Sequence, residues 1–248
     1  MLKTSLPSRR SEGISPSRNT FASSQCAARG ALATLSDHWR AVFLPPLCTG
    51  CGFIGAAQAI CDTCRAELST KPADSKGFSC FLYEGTMARL IASAKFRPSV
   101  PHAMACLQLW ASQTSSIPKQ TIDQIDAISF VPSHWRRKVW RGFDLAELLA
   151  YRFGHIHRRP VVPLLTCKRL KKPLSQTRSR QERRDILQDR FALRRHLVDI
   201  PSRILLVDDV FTTGFTLNET SRLLRNKGLT VETVVLAKTP LHTQSPSA

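Results

Sequence analysis

Two adjacent acids, Asp208 and Asp209, close the apolar run Ile204-Leu205-Leu206-Val207, and Val210-Phe211-Thr212-Thr213-Gly214-Phe215-Thr216 follows them. The run predicts a buried strand from Arg203 to Asp209, and a helix is predicted from Thr216 to Asn226. Open α/β sheets bind ligands at the carboxyl ends of their strands. A helix N-terminus offers free N–H groups and a positive dipole end to an anion. Thr212, Thr213 and Thr216 add hydroxyls, and Gly214 permits a turn with close backbone approach. The loop therefore suits a phosphate. The two carboxylates would repel that phosphate, so they suit sugar hydroxyls or Mg²⁺ instead. Successive strand residues face opposite sides, so both acids are expected to reach one sugar only if the chain has left the strand there. The bland alternative is a strand with a polar end followed by an N-capped helix.

A second constellation lies near the other end of the chain. Cys48, Cys51, Cys61 and Cys64 form two Cys-x-x-Cys pairs separated by nine residues. Four thiolates suit a tetrahedral Zn²⁺ with bonds of about 2.3 Å, and a site with no open position is structural. The spacer is short but long enough for a hairpin, and Gly50 and Gly52 suit the knuckle turn. The competing reading, a redox dithiol, usually needs one pair rather than two. Cys26, Cys80, Cys106 and Cys167 are expected to be core or free thiols.

Those residues need a scaffold. Phe81-Leu82-Tyr83, Asp126 to Val131, Val161 to Leu165, Arg203 to Asp209 and Val231 to Ala237 predict strands, the third edge-like because of Pro163. Met87, Leu90, Ile91 and Ala94 recur at helical spacing, as do Leu145, Leu148, Leu149 and Phe153. A further helix is expected from Met104 to Trp110. Strands alternating with helices predict a parallel α/β sheet. Residues 166 to 196, dense in Lys and Arg, are expected to form a mobile basic loop with a short helix at most.

The segment Leu205 to Leu217 closely resembles the phosphoribosyl diphosphate signature of type I phosphoribosyltransferases. The resemblance implies that Asp208 and Asp209 bind ribose hydroxyls and that Thr212, Thr213, Gly214 and Thr216 bind the 5′-phosphate, with Mg²⁺ accompanying the diphosphate. Phe215 stands where that family usually has a small residue. Val131 to Ala146 resembles the pyrophosphate-loop region of the ComF (competence-associated) proteins, and Pro173 to Thr177 with Arg180, Glu182, Arg183 and Arg184 resembles their flexible loop. Asp144-Leu145 stand where those proteins tend to have Asn-Gln, and Ile186 where they tend to have Asn. The implied fold is a type I phosphoribosyltransferase-like parallel sheet flanked by helices, with a small N-terminal four-cysteine zinc-binding module. Arg136, Arg137, Lys138 and Arg141 are then expected to neutralise the diphosphate, and Arg183 to act from a basic lid that excludes water.

The chain has 248 residues, 36 Lys+Arg against 18 Asp+Glu, and a formal charge of +18, which predicts anionic partners. No stretch approaches the roughly 20 apolar residues of a membrane helix. The paired cysteines argue for a reducing compartment, the cytoplasm, rather than a secreted disulfide scaffold. Residues 1–38, rich in Ser and Arg, are read as a disordered tail, a transit-like segment or a start set too far upstream; 39–70 as the zinc knuckle; and 78–240 as the transferase domain. The leading expectation is an enzyme that transfers phosphoribosyl from phosphoribosyl diphosphate to an unnamed acceptor, with a link to DNA uptake implied by the resemblance alone. Two alternatives stay open. One is a competence factor that binds single-stranded DNA, with Trp135 and Trp140 stacking bases among arginines; those tryptophans are nonetheless expected to pack in the core or on the diphosphate loop. The other is a phosphoribosyl diphosphate sensor without turnover. Oligomeric state is not legible.

Overall fold

The computed structural model describes residues 47–54, 58–70, 78–97, 99–114, 117–168, 190–194 and 201–240. The tail 1–38, the segment 71–77, Cys26, the flexible-loop residues 173–184 including Arg183, and Ile186 lie outside the described residues. In chain order the elements are α1 (Asp62–Ala66), β1 (Phe78–Leu82), α2 (Gly85–Phe96), α3 (Val100–Gln113), α4 (Lys119–Asp123), β2 (Ala127–Phe130), α5 (Trp135–Arg141), α6 (Leu145–His157), β3 (Leu165–Cys167), β4 (Phe191–Leu193), β5 (Arg203–Phe211), α7 (Phe215–Arg225) and β6 (Thr230–Lys238).

Four strands form a parallel sheet in the order β1-β6-β5-β2. Its central strands are apolar on both faces, as parallel strands covered on two sides must be. Alternation sorts the side chains. Leu205 and Val207 join Val234 and Leu236 in a core with α2, α3 and α6, while Ile204 and Leu206 join Val231 and Val235 against Leu217 and Leu224 of α7. Met87, Leu90, Ile91 and Ala94 are all buried on α2, as their spacing predicts. No helix among the described residues is long and apolar enough to cross a membrane.

Two sequence expectations are corrected. Val161 to Leu165 is not a strand. Only Val161 bridges Ile128, in parallel, and Pro163 interrupts donation before β3 begins at Leu165. The ends of segment 166–196 are not loop either. Leu165–Cys167 pairs antiparallel with Phe191–Leu193, and Lys168 N donates to Arg190 O. Three-residue strands are too short to show a period of two among flanking charges. Their anchors, Leu165 and Phe191, are buried against the α7 side of the sheet.

Trp110 ties α3 to α6. It is fully buried, its indole N–H donates to Leu149 O at 3.1 Å, and its ring lies 6.0 Å from Phe153. Trp110→Ala is expected to cost about 3–5 kcal/mol in denaturant unfolding. Trp110→Phe should cost less, about 1–2 kcal/mol, because the Leu149 carbonyl keeps its helical partner and the loss is the indole bond and part of the ring volume.

Candidate functional site

Strand β2 pairs with β5 only as far as Phe130 and Val207, with Val131 N still donating to Val207 O, whereas β5 continues to Phe211. Beyond that point one side of β5 has no strand beside it. A cavity of about 260 Å³ opens there, lined among others by Tyr83, Lys95, Ser133, Arg137, Arg141, Asp144, Arg190, Asp208, Asp209, Thr212 and Thr216. It lies at the carboxyl ends of the parallel strands, where an open α/β sheet offers a ligand site.

Both acids line this cavity, and β5 runs on through them to Phe211. The β5–β6 ladder passes from Asp208 to Val210 without pairing Asp209. The Asp209 N–H donates instead to Asp208 Oδ1 at 2.8 Å. Burial, reinforced by the Asp209 charge, pushes the Asp208 carboxyl well above the usual carboxylate range. Asp209 Oδ1 accepts from Lys95 Nζ at 2.6 Å. Burial would discharge Lys95, but the charge and hydrogen bond of Asp209 outweigh it and raise the lysine pKa.

The loop between β5 and α7 is shaped by Gly214, the N-cap of α7, at φ +76°. A Cβ there would stand 2.5 Å from Phe211 Cζ, so both conformation and space require glycine. No side chain caps α7, so its first N–H groups face the loop uncapped. Thr212 and Thr216 line the cavity. Thr213 is exposed, Gly214 is buried, and Phe215 is half-buried as the first residue of α7.

The four basic residues after β2 separate by helical period. Arg137 and Arg141, four apart on α5, line the cavity. Lys138 pairs with Glu147, and the Arg136 guanidinium lies 5.5 Å from the Trp135 ring centre. Burial and the Arg137 charge lower the Arg141 pKa, and Arg141 Nε is buried without a hydrogen bond among the described residues. Trp135 and Trp140 are 59% and 58% exposed, which corrects the expectation of core packing: α5 has no buried residue. Arg183 lies outside the described residues.

Three charged cavity residues were not among the residues that the sequence motifs mark. Lys95 falls four residues after Ile91, so a charge on an otherwise apolar helix face was the available signal. Asp144 is buried at the N-cap position of α6, but its Oδ2 accepts from Ser133 N and Ser133 Oγ, both at 2.7 Å. Burial raises its pKa against those two bonds. Arg190 carries no local signal, since only the β3–β4 pairing brings it to the cavity.

The cysteine centre has the dimensions of a tetrahedral metal site. The Sγ atoms of Cys48, Cys51, Cys61 and Cys64 all lie within 4.8 Å of one another, and Cys51 and Cys61 are 3.7 Å apart. Zn–S bonds of about 2.3 Å imply sulfur–sulfur edges of about 3.8 Å, so the group fits. Burial pushes the Cys48 thiol up, but N–H groups of Cys61, Cys51 and Gly50 bring it to about 6. At Cys51 the Phe53 N–H pulls down, whereas desolvation and the three neighbouring sulfurs push it to about 12. Four sulfurs this close share negative charge only around a cation. Gly50 is needed for packing: a Cβ would stand 2.9 Å from Cys64 Sγ and 3.1 Å from Thr86 Cγ2. Cys80 and Cys106 are buried thiols, pushed up to about 12 by that burial.

The Asp208 shift has a consequence for stability. A raised folded-state pKa contributes stability that is complete below the unfolded value and is lost as pH rises through the folded value. Without ligand, the Asp208 contribution to wild-type stability should fall as pH rises from the ordinary value of 3.8. In Asp208→Asn that loss should shrink, so its melting temperature should gain on the wild type as pH rises and keep no such gain below pH ~3.9. Melting curves across this range check the slope, whatever offset the substitution adds.

Residues 141–248 match the family model described as a phosphoribosyl transferase domain. The chain is 32% identical over 188 residues to competence protein F of Haemophilus influenzae, covering 74% of this chain and 80% of that protein. Among solved structures, orotate phosphoribosyltransferase of Aeropyrum pernix is 18% identical with a TM-score of 0.35, covering 70% of this chain and 77% of that one. Adenine phosphoribosyltransferase of Trypanosoma brucei is 14% identical with a TM-score of 0.35, covering 75% and 86%. The sequence relative, not these spatial overlaps, establishes kinship. A parallel sheet with an acidic pair at its carboxyl edge, a phosphoribosyltransferase domain match and a cluster of four cysteines thus converge: the chain belongs to the competence protein F family.

Proposed function

We propose that the chain binds phosphoribosyl diphosphate with Mg²⁺ and transfers the phosphoribosyl group to an acceptor. The observation that carries this reading is one cavity shared by two opposite sets of groups: Asp208 and Asp209 on one strand end, and Arg137, Arg141, Thr212 and Thr216 around them. In the transfer, the bond from the sugar's anomeric carbon to the diphosphate oxygen breaks, and the leaving diphosphate keeps the electron pair. A bond from the acceptor to that carbon forms, and the acceptor gives up a proton. Asp208 and Asp209 are the donors that would hold Mg²⁺, which when bound neutralises diphosphate charge. The two acids also accept the ribose hydroxyls, and the uncapped α7 N-terminus with Thr212, Thr213, Gly214 and Thr216 takes the 5′-phosphate. Arg141, with a buried unpaired N–H and a lowered pKa, gains most from an anion beside it. Arg137 and Arg141 are assigned to the diphosphate, with Arg136 and Lys138 next to them on α5 and Arg183 of the basic segment as a further candidate. Holding charge and geometry together, away from water, is the catalysis such a reaction needs.

Cys48, Cys51, Cys61 and Cys64 hold Zn²⁺ as a structural centre in the module 39–70, ahead of the transferase domain 78–240. A tetrathiolate with buried free thiols favours a reducing compartment, the cytoplasm. The relative's name supports a role in competence.

A second reading, binding of single-stranded DNA, is favoured by the exposure of Trp135, Val139 and Trp140 on α5, a helix that also carries four basic residues. Bases stack on such aromatics while cations meet the backbone.

Titration calorimetry with phosphoribosyl diphosphate and Mg²⁺ tests the first reading. The wild type should bind, and Asp208→Ala/Asp209→Ala should lose at least about 100-fold, two charged hydrogen bonds being worth about 3 kcal/mol or more. Equal binding by the double variant would sink it. For DNA, Trp135→Ala/Trp140→Ala should weaken single-strand binding by about 1–3 kcal/mol per stacked base. The acidic double variant should keep that binding, with a steep dependence on salt.

A further inference from the structure

Lys95 reaches the cavity from α2, an element that no motif of the sequence marks. Its ammonium and the Asp209 carboxylate are both largely buried, with side chains 22% and 14% exposed, and their contact is 2.6 Å. Asp208 is committed in a parallel way, since its Oδ1 takes the Asp209 N–H at 2.8 Å. Each acid therefore has one oxygen anchored inside the protein. Among the described residues, neither second oxygen accepts a hydrogen bond. Two adjacent carboxylates, each offering one oxygen to the same cavity, form a receptor for two neighbouring hydroxyls.

Without an internal cation this receptor would not persist. Adjacent carboxylates repel, and an Asp209 side chain with no tether would swing away from Asp208. Lys95 supplies the balancing charge as a compact ammonium, which holds one oxygen without covering both, as a guanidinium fork tends to do. Its helix is also pinned at the far end. Arg89 donates to Gly50 O at 3.2 Å and to Glu67 Oε2 at 2.7 Å, and Thr86 Oγ1 donates to the same Glu67 oxygen at 2.6 Å. The lysine is thus delivered by an element fixed against the cysteine segment.

We propose that Lys95 is a positioning residue that makes the Asp208–Asp209 pair a receptor for a vicinal diol, and so sets a preference for ribose over deoxyribose phosphates. The inference rests on the phosphoribosyl reading above. It goes further by assigning sugar selectivity to a residue outside the phosphoribosyl motif.

The test measures binding of ribose 5-phosphate and 2-deoxyribose 5-phosphate to the full chain by competition, for wild type, Lys95→Met and Lys95→Arg. Wild type should favour the ribose ligand at least about tenfold, because the deoxy sugar leaves a charged acceptor unpaired. Lys95→Met should retain affinity for the deoxy ligand, since the phosphate loop is intact, while its ribose preference falls to within about twofold of unity. Lys95→Arg, which keeps charge and an ion pair, should recover part of the preference; it also decides the matter if the Met variant does not fold. A residue needed only for folding would lower both affinities together and leave their ratio unchanged. An unchanged ratio in both variants overturns the inference and leaves the functional reading standing. Failure of wild type to bind either sugar phosphate or phosphoribosyl diphosphate overturns both.

Discussion

Strand β5 outlasts its neighbour. From Ile204 to Val207 it has partners on both sides, and from Asp208 to Phe211 it has β6 on one side only. A buried backbone N–H needs an acceptor, and where β2 has ended, the Asp209 N–H finds it in the Asp208 carboxylate. That substitution gives Asp208 its orientation, frees space for the cavity and leaves Asp209 to be held from elsewhere. The rest of the site is arranged around this mismatch in strand length.

Charge then dictates which side chains belong. Asp144, Asp208 and Asp209 all face one small cavity, and so many carboxylates are tolerated only beside cations. Lys95, Arg137, Arg141 and Arg190 come from α2, α5 and the turn before β4, converging from different parts of the chain. On α5 the helical turn does the selecting. Residues four apart face the acids, while their neighbours meet Glu147 and Trp135. The excess of positive charge over the whole molecule is thus not spread evenly in effect. A few cations are desolvated by the cavity wall, where electrostatics is strong, and the others are solvated and screened.

Helix α2 joins the two chemical centres of the protein. Its first turns carry Thr86 and Arg89, which hold Glu67 and the Gly50 carbonyl beside the cysteines, and its last turn carries Lys95. Buried Cys48 and Cys64 lie in the same apolar core as Met87, Leu90 and Ile91. The cysteine segment is therefore packed onto the helix that delivers a cation to the acidic pair. A helix rises about 1.5 Å per residue, so the nine steps from Thr86 to Lys95 span roughly 14 Å of stiff backbone.

Much of this was legible in the sequence, for local reasons. Runs such as Ile204–Val207 declare a doubly covered strand, and Met87, Leu90, Ile91 and Ala94 a buried helix face, because burial periodicity is written into consecutive residues. The spacing of Cys48, Cys51, Cys61 and Cys64 specified a four-sulfur cluster, and the acidic pair with its Thr-Thr-Gly loop marked the strand end and helix start where the cavity lies. Tertiary structure alone decided the rest. It separated Arg137 and Arg141 from Arg136 and Lys138, exposed Trp135 and Trp140, paired Leu165–Cys167 with Phe191–Leu193, and brought Lys95 across 114 residues of chain to Asp209. The physical reason is range. Periodicity and turn chemistry act between near neighbours, whereas charge compensation in a cavity depends on distances through space that no local pattern encodes.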